Sequence, residues 1–236
     1  MNLTVRDVAS LLGTSEKTIY RWVRDGAVPC YRIRDHYRFN RTEILEWATA
    51  KRIRVSPDLL SEPAASTDGP SEASLAAGLE AGGIFYRIEG TDTPSVLKSV
   101  VDHMRLPDAV DRAFLLEVLL ARETLQSTAI GDGIAIPHVR NPVVLHVDRP
   151  TVSLCFLDRP VHFGALDGQP VHCLFAMVSP TARAHLRLLA RLSYAIRDAA
   201  FHAALETQAS REQILIGARR VEAALAEVDP AAQEAG

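Results

Sequence analysis

Hydrophobic residues recur with helical spacing twice within the first 25 residues, on either side of a short polar break. The first apolar set is Val5, Val8, Ala9 and Leu12, and the second is Ile19, Trp22 and Val23. Thr4 and Asp7 form a capping pair before the first set, and Ser15 is a favourable N-cap for the second. The pattern predicts two short helices joined by a tight turn, which is the helix-turn-helix arrangement.

The polar positions of the second helix and of the segment after it are mostly basic. At about 100° per residue, one set of side chains lies opposite the apolar stripe. This set is Lys17, Tyr20, Arg21 and Arg24. Alternation over residues 30–39 predicts a short hairpin with one aromatic or aliphatic face and one arginine face. The arginines of this hairpin are Arg32, Arg34 and Arg38. A last helix is predicted from Thr42 to about Arg54.

The periodic pattern stops between residues 56 and 82. This stretch is rich in Ser, Pro, Ala, Gly and acidic residues and contains no aromatic residue. Such a composition predicts a flexible linker, in which residues 71–80 form only a transient helix. The linker separates a domain of residues 1–55 from a second domain of residues 83–228.

Strand and helix patterns alternate through the second domain. Strands are predicted at 84–88, 133–136, 152–157, 161–163 and 171–178. Helices are predicted at 94–104, from a cap at Asp108 to Arg122, and from a cap at Thr181, with shorter helices ending near residue 226. Residues 229–236 are expected to form a frayed tail. The fold class is therefore α/β (α+β), with a small winged helix-turn-helix domain followed by a mixed β-sheet flanked by helices.

Composition and charge narrow the functional classes. No stretch of the 236 residues approaches the ~20 uninterrupted apolar residues of a membrane span. No secretory signal pattern is present, and the three cysteines lack a CxxC spacing. We therefore expect a cytoplasmic protein with reduced thiols and with no bound metal or cofactor. Residues 1–55 carry a net charge of +5 and the remainder carries −8, which suggests different partners for the two domains.

The segments TVRDVASLLGTSEKTIYRWVRDGAVPCYRI and RFNRTEILEWA resemble the small winged helix-turn-helix domains of the excisionase and MerR type. The resemblance implies that residues 15–25 enter the major groove of DNA and that the hairpin acts as a wing. The DNA contacts would then come from Lys17, Tyr20, Arg21, Arg24, Arg32, Arg34 and Arg38. The alternative is a solvated basic face on a module that mediates protein contacts.

Residues 128–140, TAIGDGIAIPHVR, place a histidine at the end of a short apolar run. Residues 131–133 are a turn signal, and residues 133–136 predict a buried strand. Pro137 cannot donate to a ladder, so we expect the chain to leave the sheet there. His138 would then sit on a rigid strand end, which suits a reactive side chain. The alternative is an ordinary loop histidine.

Three further segments carry a second resemblance. ARETLQSTAIGDGIAIPH, DGQPVHCLFAMVSP and HLRLLARLS resemble the IIA domain of the phosphoenolpyruvate-dependent sugar phosphotransferase system (PTS), of the fructose/mannitol and nitrogen-regulatory type (PTS EIIA type 2 fold). The resemblance implies that His138 carries the phosphoryl group, with His185 and Arg122 as its active-site partners. Ser127 and Thr128 would add hydroxyl or backbone donors. An imidazole is a competent phosphoryl acceptor and a guanidinium suits phosphate oxygens, provided that the side chains share a pocket open to a phosphoryl group.

The resemblance implies a regulatory phosphocarrier rather than a turnover enzyme. His138 would accept a phosphoryl group from an HPr-type phosphohistidine protein, and the tethered first domain would bind DNA. A homo-oligomer is compatible with this interpretation. Val139 and Ala129 stand where the family usually has glycine, and their Cβ atoms could crowd the approach of a phosphate or partner. Two alternatives remain: a transcriptional regulator with a non-phosphorylated EIIA-like sensor domain, and a fructose or mannitol uptake EIIA component.

Overall fold

The computed structural model describes residues 2–33, 36–51, 53, 74–139 and 147–228. The chain divides into two compact units, one of residues 1–69 with 223–236 and one of residues 70–222. Arg34, most of the predicted linker and the predicted tail lie outside the described residues. No helix in the described part of the chain is long and apolar enough to cross a membrane.

The first unit contains the predicted helix-turn-helix. Its elements are β1 (Asn2–Leu3), α1 (Val5–Leu11), α2 (Glu16–Arg24), β2 (Tyr31–Ile33), β3 (His36–Asn40) and α3 (Arg41–Ala50). The Thr4–Asp7 capping box and the Ser15 cap both form, as predicted. The strands are antiparallel in the order β1-β3-β2, so the hairpin gains a third strand too short to be recognised in the pattern.

The helices of this unit enclose a small apolar core. Ile19 and Ile44 are fully buried, as is Phe39 of the hairpin. Trp22 and Trp47 meet edge to face with ring centroids 5.2 Å apart, which joins α2 to α3. The burial of one side of α2 leaves its opposite side facing solvent.

The second unit is a five-stranded mixed sheet flanked by helices. Its elements are α4 (Leu75–Gly82), β4 (Ile84–Ile88), α5 (Thr93–His103), α6 (Arg112–Leu125), β5 (Ala129–Gly131), β6 (Ile134–Ala135), β7 (Thr151–Val161), β8 (Val171–Val178), α7 (Ala182–Arg197), α8 (Ala199–Glu206) and the larger part of α9 (Arg211–Val228), up to residue 222. The strand order is β4-β7-β8-β6-β5. β7 and β8 are antiparallel, whereas β4 runs parallel to β7 and β6 runs parallel to β8.

The end of the predicted linker is not flexible. Residues 75–82 form α4, which begins at an N-cap from Ser74 and buries Leu75 and Leu79. A Cβ on Gly82 would lie 2.3 Å from the carbonyl oxygen of Val152, so the helix end packs directly on the backbone of β7. The prediction of a transient helix was wrong because the partner surface of α4 lies far away in the sequence.

Two further predictions are corrected by the structure. The cap of α6 is Asp111, whose side chain accepts from two backbone N–H groups, and not Asp108. The strand predicted at 161–163 is not separate, because β7 continues through an irregular stretch to Val161 and pairs there with Val171. The other strands and helices form within a few residues of the predicted bounds.

Candidate active site

The backbone beside β8 fixes the position of His138. The β6 strand runs parallel to β8, and the pairing continues beyond it: Met177 N–H donates to the Pro137 carbonyl at 3.0 Å, and His138 bridges Met177. The expectation that the chain leaves the sheet at Pro137 was therefore wrong. Proline lacks only the N–H donor, and its carbonyl still accepts from a parallel neighbour.

A hydrogen bond to the backbone fixes which nitrogen of the His138 ring carries the proton. Its Nδ1 lies 2.7 Å from the carbonyl oxygen of Ile136. Because a carbonyl can only accept, this bond requires a proton on Nδ1. In the neutral ring the lone pair then resides on Nε2, which is the nucleophilic nitrogen.

The second histidine lies beside the first. α7 begins directly after β8, with Thr181 as its N-cap, and carries His185 in its first turns. The rings of His138 and His185 have centroids 5.0 Å apart and an interplanar angle of 34°. The end of β8 thus brings the two imidazoles together from segments 47 positions apart in the sequence.

Arg122 connects to the same region through a loop. It lies in the last turn of α6, is 7% exposed, and donates from Nη1 to the Gln126 carbonyl at 2.7 Å. Two residues later, the Thr128 carbonyl accepts from Ile136 N–H at 3.0 Å. The loop therefore links the arginine helix to the residue whose carbonyl holds the His138 ring.

The hydroxyls predicted to face a phosphate make internal hydrogen bonds instead. Ser127 Oγ donates to the Phe163 carbonyl at 2.5 Å. The Glu123 carboxylate accepts from both Thr128 N–H and Thr128 Oγ1, at 2.9 and 2.5 Å. Sequence reasoning missed Glu123, and its position directly after Arg122 in the ARET segment was the available signal.

The site is more enclosed than predicted. His138 is 4% exposed and its Nε2 is buried, and His185 is 1% exposed. The expectation of an imidazole open to a phosphoryl group is not met in this arrangement. The segment 140–146, which follows His138 almost directly, lies outside the described residues.

The two departures from the family pattern face the core. Ala129 and Val139 are 3% and 5% exposed and belong to the hydrophobic cluster between the sheet and helices α5 and α6. Both side chains belong to the same apolar cluster as Leu119.

The basic face of the first unit is solvent-exposed, as the pattern predicts. Lys17, Tyr20, Arg21, Arg24 and Arg32 are exposed in the structure. Tyr20 meets Tyr37 edge to face with centroids 6.3 Å apart, which places the outer side of α2 next to β3. Arg38 is half-buried and donates to the Tyr37 carbonyl.

Metal and thiol chemistry add no second candidate. Among the described residues, no group of three or more His, Cys, Asp or Glu side chains is placed to hold a metal ion. Cys155 and Cys173 are free and buried, and burial raises the pKa of the Cys155 thiol to about 12. Protonated, inaccessible thiols are poor nucleophiles.

Comparisons with known proteins agree with this geometry. The family of phosphoenolpyruvate-dependent sugar phosphotransferase system EIIA 2 domains matches residues 79–216, and a helix-turn-helix domain family matches residues 3–52. A nitrogen regulatory protein from Pseudomonas aeruginosa is 37% identical over 119 residues, which cover 49% of this chain and 75% of the relative. One from Bradyrhizobium diazoefficiens is 41% identical over 86 residues, which cover 36% of this chain and about half (54%) of the relative.

A solved structure extends the likeness to three dimensions. The nitrogen regulatory protein IIA-Ntr from Neisseria meningitidis has a TM-score of 0.50 and 28% identity, and the match covers 57% of this chain and 92% of that one. Its fold corresponds to the sheet and helices that carry His138 and His185. Since the family match spans more than half of the chain, the protein belongs to the EIIA type 2 family of the phosphotransferase system and carries an additional N-terminal helix-turn-helix domain.

Proposed function

We propose that the protein is a cytoplasmic regulatory phosphocarrier that accepts a phosphoryl group on Nε2 of His138 from an HPr-type phosphohistidine protein. The observation that carries the proposal is the bond from Nδ1 of His138 to the Ile136 carbonyl, which leaves the lone pair on Nε2. His185 lies beside that ring, as a second imidazole near a transferred phosphoryl group should.

The transfer balances without a cofactor. The Nε2 lone pair forms a bond to phosphorus as the bond to the donor's imidazole nitrogen breaks, and the donor imidazole leaves neutral. The Nδ1 proton stays on the His138 ring, where its bond to the Ile136 carbonyl stabilises the phosphorylated form. We assign His185 and Arg122 to the equatorial phosphoryl oxygens, because donors placed there stabilise the transition state.

Phosphoryl transfer requires an opening step, since Nε2 is buried. Two exposed leucines border the loops next to the site: Leu125, which is 75% exposed, and Leu166, which is 71% exposed. The Ser127–Phe163 hydrogen bond joins the loop that follows α6 to the loop that contains Leu166. We propose that the donor docks beside these leucines and uncovers the imidazole.

The test is incubation of the full chain with phosphoenolpyruvate, enzyme I and an HPr-type protein, followed by mass spectrometry and ³¹P NMR. We expect one acid-labile phosphoryl group, bonded to Nε2 and absent from His138→Ala. His162→Gln, which changes an exposed histidine, is the matched control and should be labelled normally. No label on the wild-type chain, or an undiminished label on His138→Ala, would reject the proposal.

A second candidate function is DNA binding through the first unit. It is favoured by the exposed basic face of α2 beside the hairpin. Basic side chains on such a face meet backbone phosphates, so affinity should fall steeply with salt. We expect salt-dependent binding of the full chain to duplex DNA that weakens in Arg21→Gln and Arg24→Gln. The control is Glu80→Gln, which removes an acidic side chain outside this unit.

Two experiments separate the remaining interpretations, and the first uses the His138→Ala variant. Selective DNA binding that persists in this variant, together with absence of phosphorylation of the wild-type chain, would favour a non-phosphorylated sensor. Rescue of fructose or mannitol uptake in a strain lacking EIIA would favour an uptake component.

A further inference from the structure

A cavity of about 940 Å³ lies in the second unit, and neither His138 nor His185 lines it. It is bordered by α4, by the loop after α5 and by the segment that leads into β7. Its polar lining consists of Glu80, Arg105, Asp148, Arg149 and Thr151. Small-molecule sites in proteins are typically cavities of about 300–1,000 Å³ with a few convergent polar groups, so the cavity has the size of a ligand site.

The two guanidiniums of the cavity, from Arg105 and Arg149, are solvent-exposed. Within the part of the chain that the structure describes, neither Arg105 nor Arg149 makes a hydrogen bond or an ion pair. Some other arginines of the unit are paired: Arg191, for example, pairs with the Glu222 carboxylate. Glu80 is itself bound by Arg219, which leaves Asp148 as the acidic group facing two arginines. Apart from the Glu80–Arg219 pair, the lining therefore offers two guanidiniums and one carboxylate.

A buried hydroxyl gives a second, independent observation. Thr151 is 5% exposed and lines the cavity, and its Oγ1 makes no hydrogen bond in the described structure. Buried side-chain polar atoms are hydrogen-bonded in the great majority of cases, and an exception calls for an absent partner. A ligand oxygen in the cavity would supply that partner.

We propose that this cavity binds a small molecule that carries two anionic oxygen groups, of the phosphate or carboxylate type. Arg105 and Arg149 each offer a planar fork that matches such groups, and Thr151 offers one hydroxyl donor. The Asp148 carboxylate repels an anionic ligand unless the ligand carries a hydrogen-bond donor for it. Asp148 therefore lowers the affinity of the cavity for purely anionic molecules.

The cavity is separate from the candidate active site but lies at the same end of the sheet. Thr151 pairs with Val178 of β8, whereas His138 bridges the adjacent Met177 from the other side of that strand. An anion could also occupy the histidine site, so the test must distinguish the two positions. The proposal does not depend on phosphoryl transfer to His138.

The experiment is isothermal titration calorimetry of the full chain at low salt, with pyrophosphate and succinate as probes of the two anion types. We expect saturable binding of at least one probe with a dissociation constant of about 1 mM or below. Arg105→Gln and Arg149→Gln should each weaken it about tenfold, as loss of a charge-assisted hydrogen bond does. Thr151→Val should weaken it about threefold, and Asp148→Asn should strengthen it.

Two control variants locate the probe. Arg159→Gln, which removes an exposed guanidinium outside the cavity, and His138→Ala should both bind as the wild-type chain does. The probe that binds identifies the phosphate or carboxylate class. Absence of saturable binding for both probes, wild-type affinity in both cavity arginine variants, or loss of binding in His138→Ala would each overturn the proposal.

Discussion

Glu222 of α9 holds the N-terminus of α4, and its removal should release that helix. Its carboxylate accepts from Ser74 Oγ at 2.7 Å, from the backbone N–H groups of Leu75 and Ala76, and from Arg191 at 3.0 Å. The side chains of Glu222 and Arg191 are only 14% and 21% exposed. A carboxylate at a helix N-terminus also interacts favourably with the helix dipole.

The expected loss of stability follows from the groups that Glu222→Ala leaves without a partner, which are Arg191 and the N-terminal donors of α4. Breaking a buried pair by removing one partner costs about 3–5 kcal/mol, and a single hydrogen bond to a charged group contributes about 1.5–3 kcal/mol. Because some solvent reaches both side chains, we expect a loss of about 2–3 kcal/mol in the local stability of α4. Glu222→Gln keeps one acceptor oxygen and should lose about half as much.

Hydrogen exchange measured by mass spectrometry tests this value directly. Amides of residues 75–82 should exchange about 30- to 150-fold faster in Glu222→Ala, which is the same free energy expressed as a rate ratio. Both tryptophans, Trp22 and Trp47, lie in the other unit, so urea unfolding followed by fluorescence gives an internal reference that should move less. Glu212→Ala, an exposed change on the same helix, is the matched control. Exchange of residues 75–82 that stays within about threefold of wild type, or an equal effect in the control, would refute the reasoning.

Three further predictions concern Gly133, the pKa of His172, and the accessibility of the three cysteines. Gly133 has φ +70°, and a Cβ there would lie 2.3 Å from the His172 ring, so Gly133→Ala should cost about 2 kcal/mol in urea unfolding followed by circular dichroism. Burial lowers the pKa of His172 below its ordinary value of 6.5, so the unfolded chain binds the extra proton. The contribution of neutral His172 to the free energy of unfolding should therefore be fully present above pH 6.5 and should be lost as the pH falls below that value. Urea midpoints at several pH values would show this loss. A thiol reagent at about pH 8 should label half-buried Cys30 in the native chain and spare Cys155 and Cys173, as peptide mapping would show.

Each of these predictions has its own control. In a double-mutant cycle, His172→Ala should remove the clash with the new Cβ and so restore part of the stability that Gly133→Ala loses. The part of the loss that comes from the positive φ at position 133 should remain. His172→Gln should flatten the stability change below pH 6.5, and an unchanged slope would assign it to other groups. Labelling of Cys155 in the native chain as fast as that of Cys30 would contradict the burial of that thiol.

Short-range patterns predicted most of the elements. The caps at Thr4, Ser15 and Thr181 form as expected, because an N-cap bond joins residues only two or three positions apart. Periodicity likewise located α2 and β8, since each buries one side or both against a core. The motif segments pointed to His138 and His185, and the structure places these two rings side by side.

Contacts between residues far apart in the sequence determine the features that local patterns did not predict. α4 is docked by a carboxylate 148 positions away, so the local pattern predicted only a transient helix there. The burial of Nε2, the bond from Ser127 to the Phe163 carbonyl, and the two arginines that line a cavity all depend on where separate elements meet. Periodicity and caps arise from neighbours along the backbone, whereas accessibility and hydrogen-bond partners are properties of the assembled sheet and its helices.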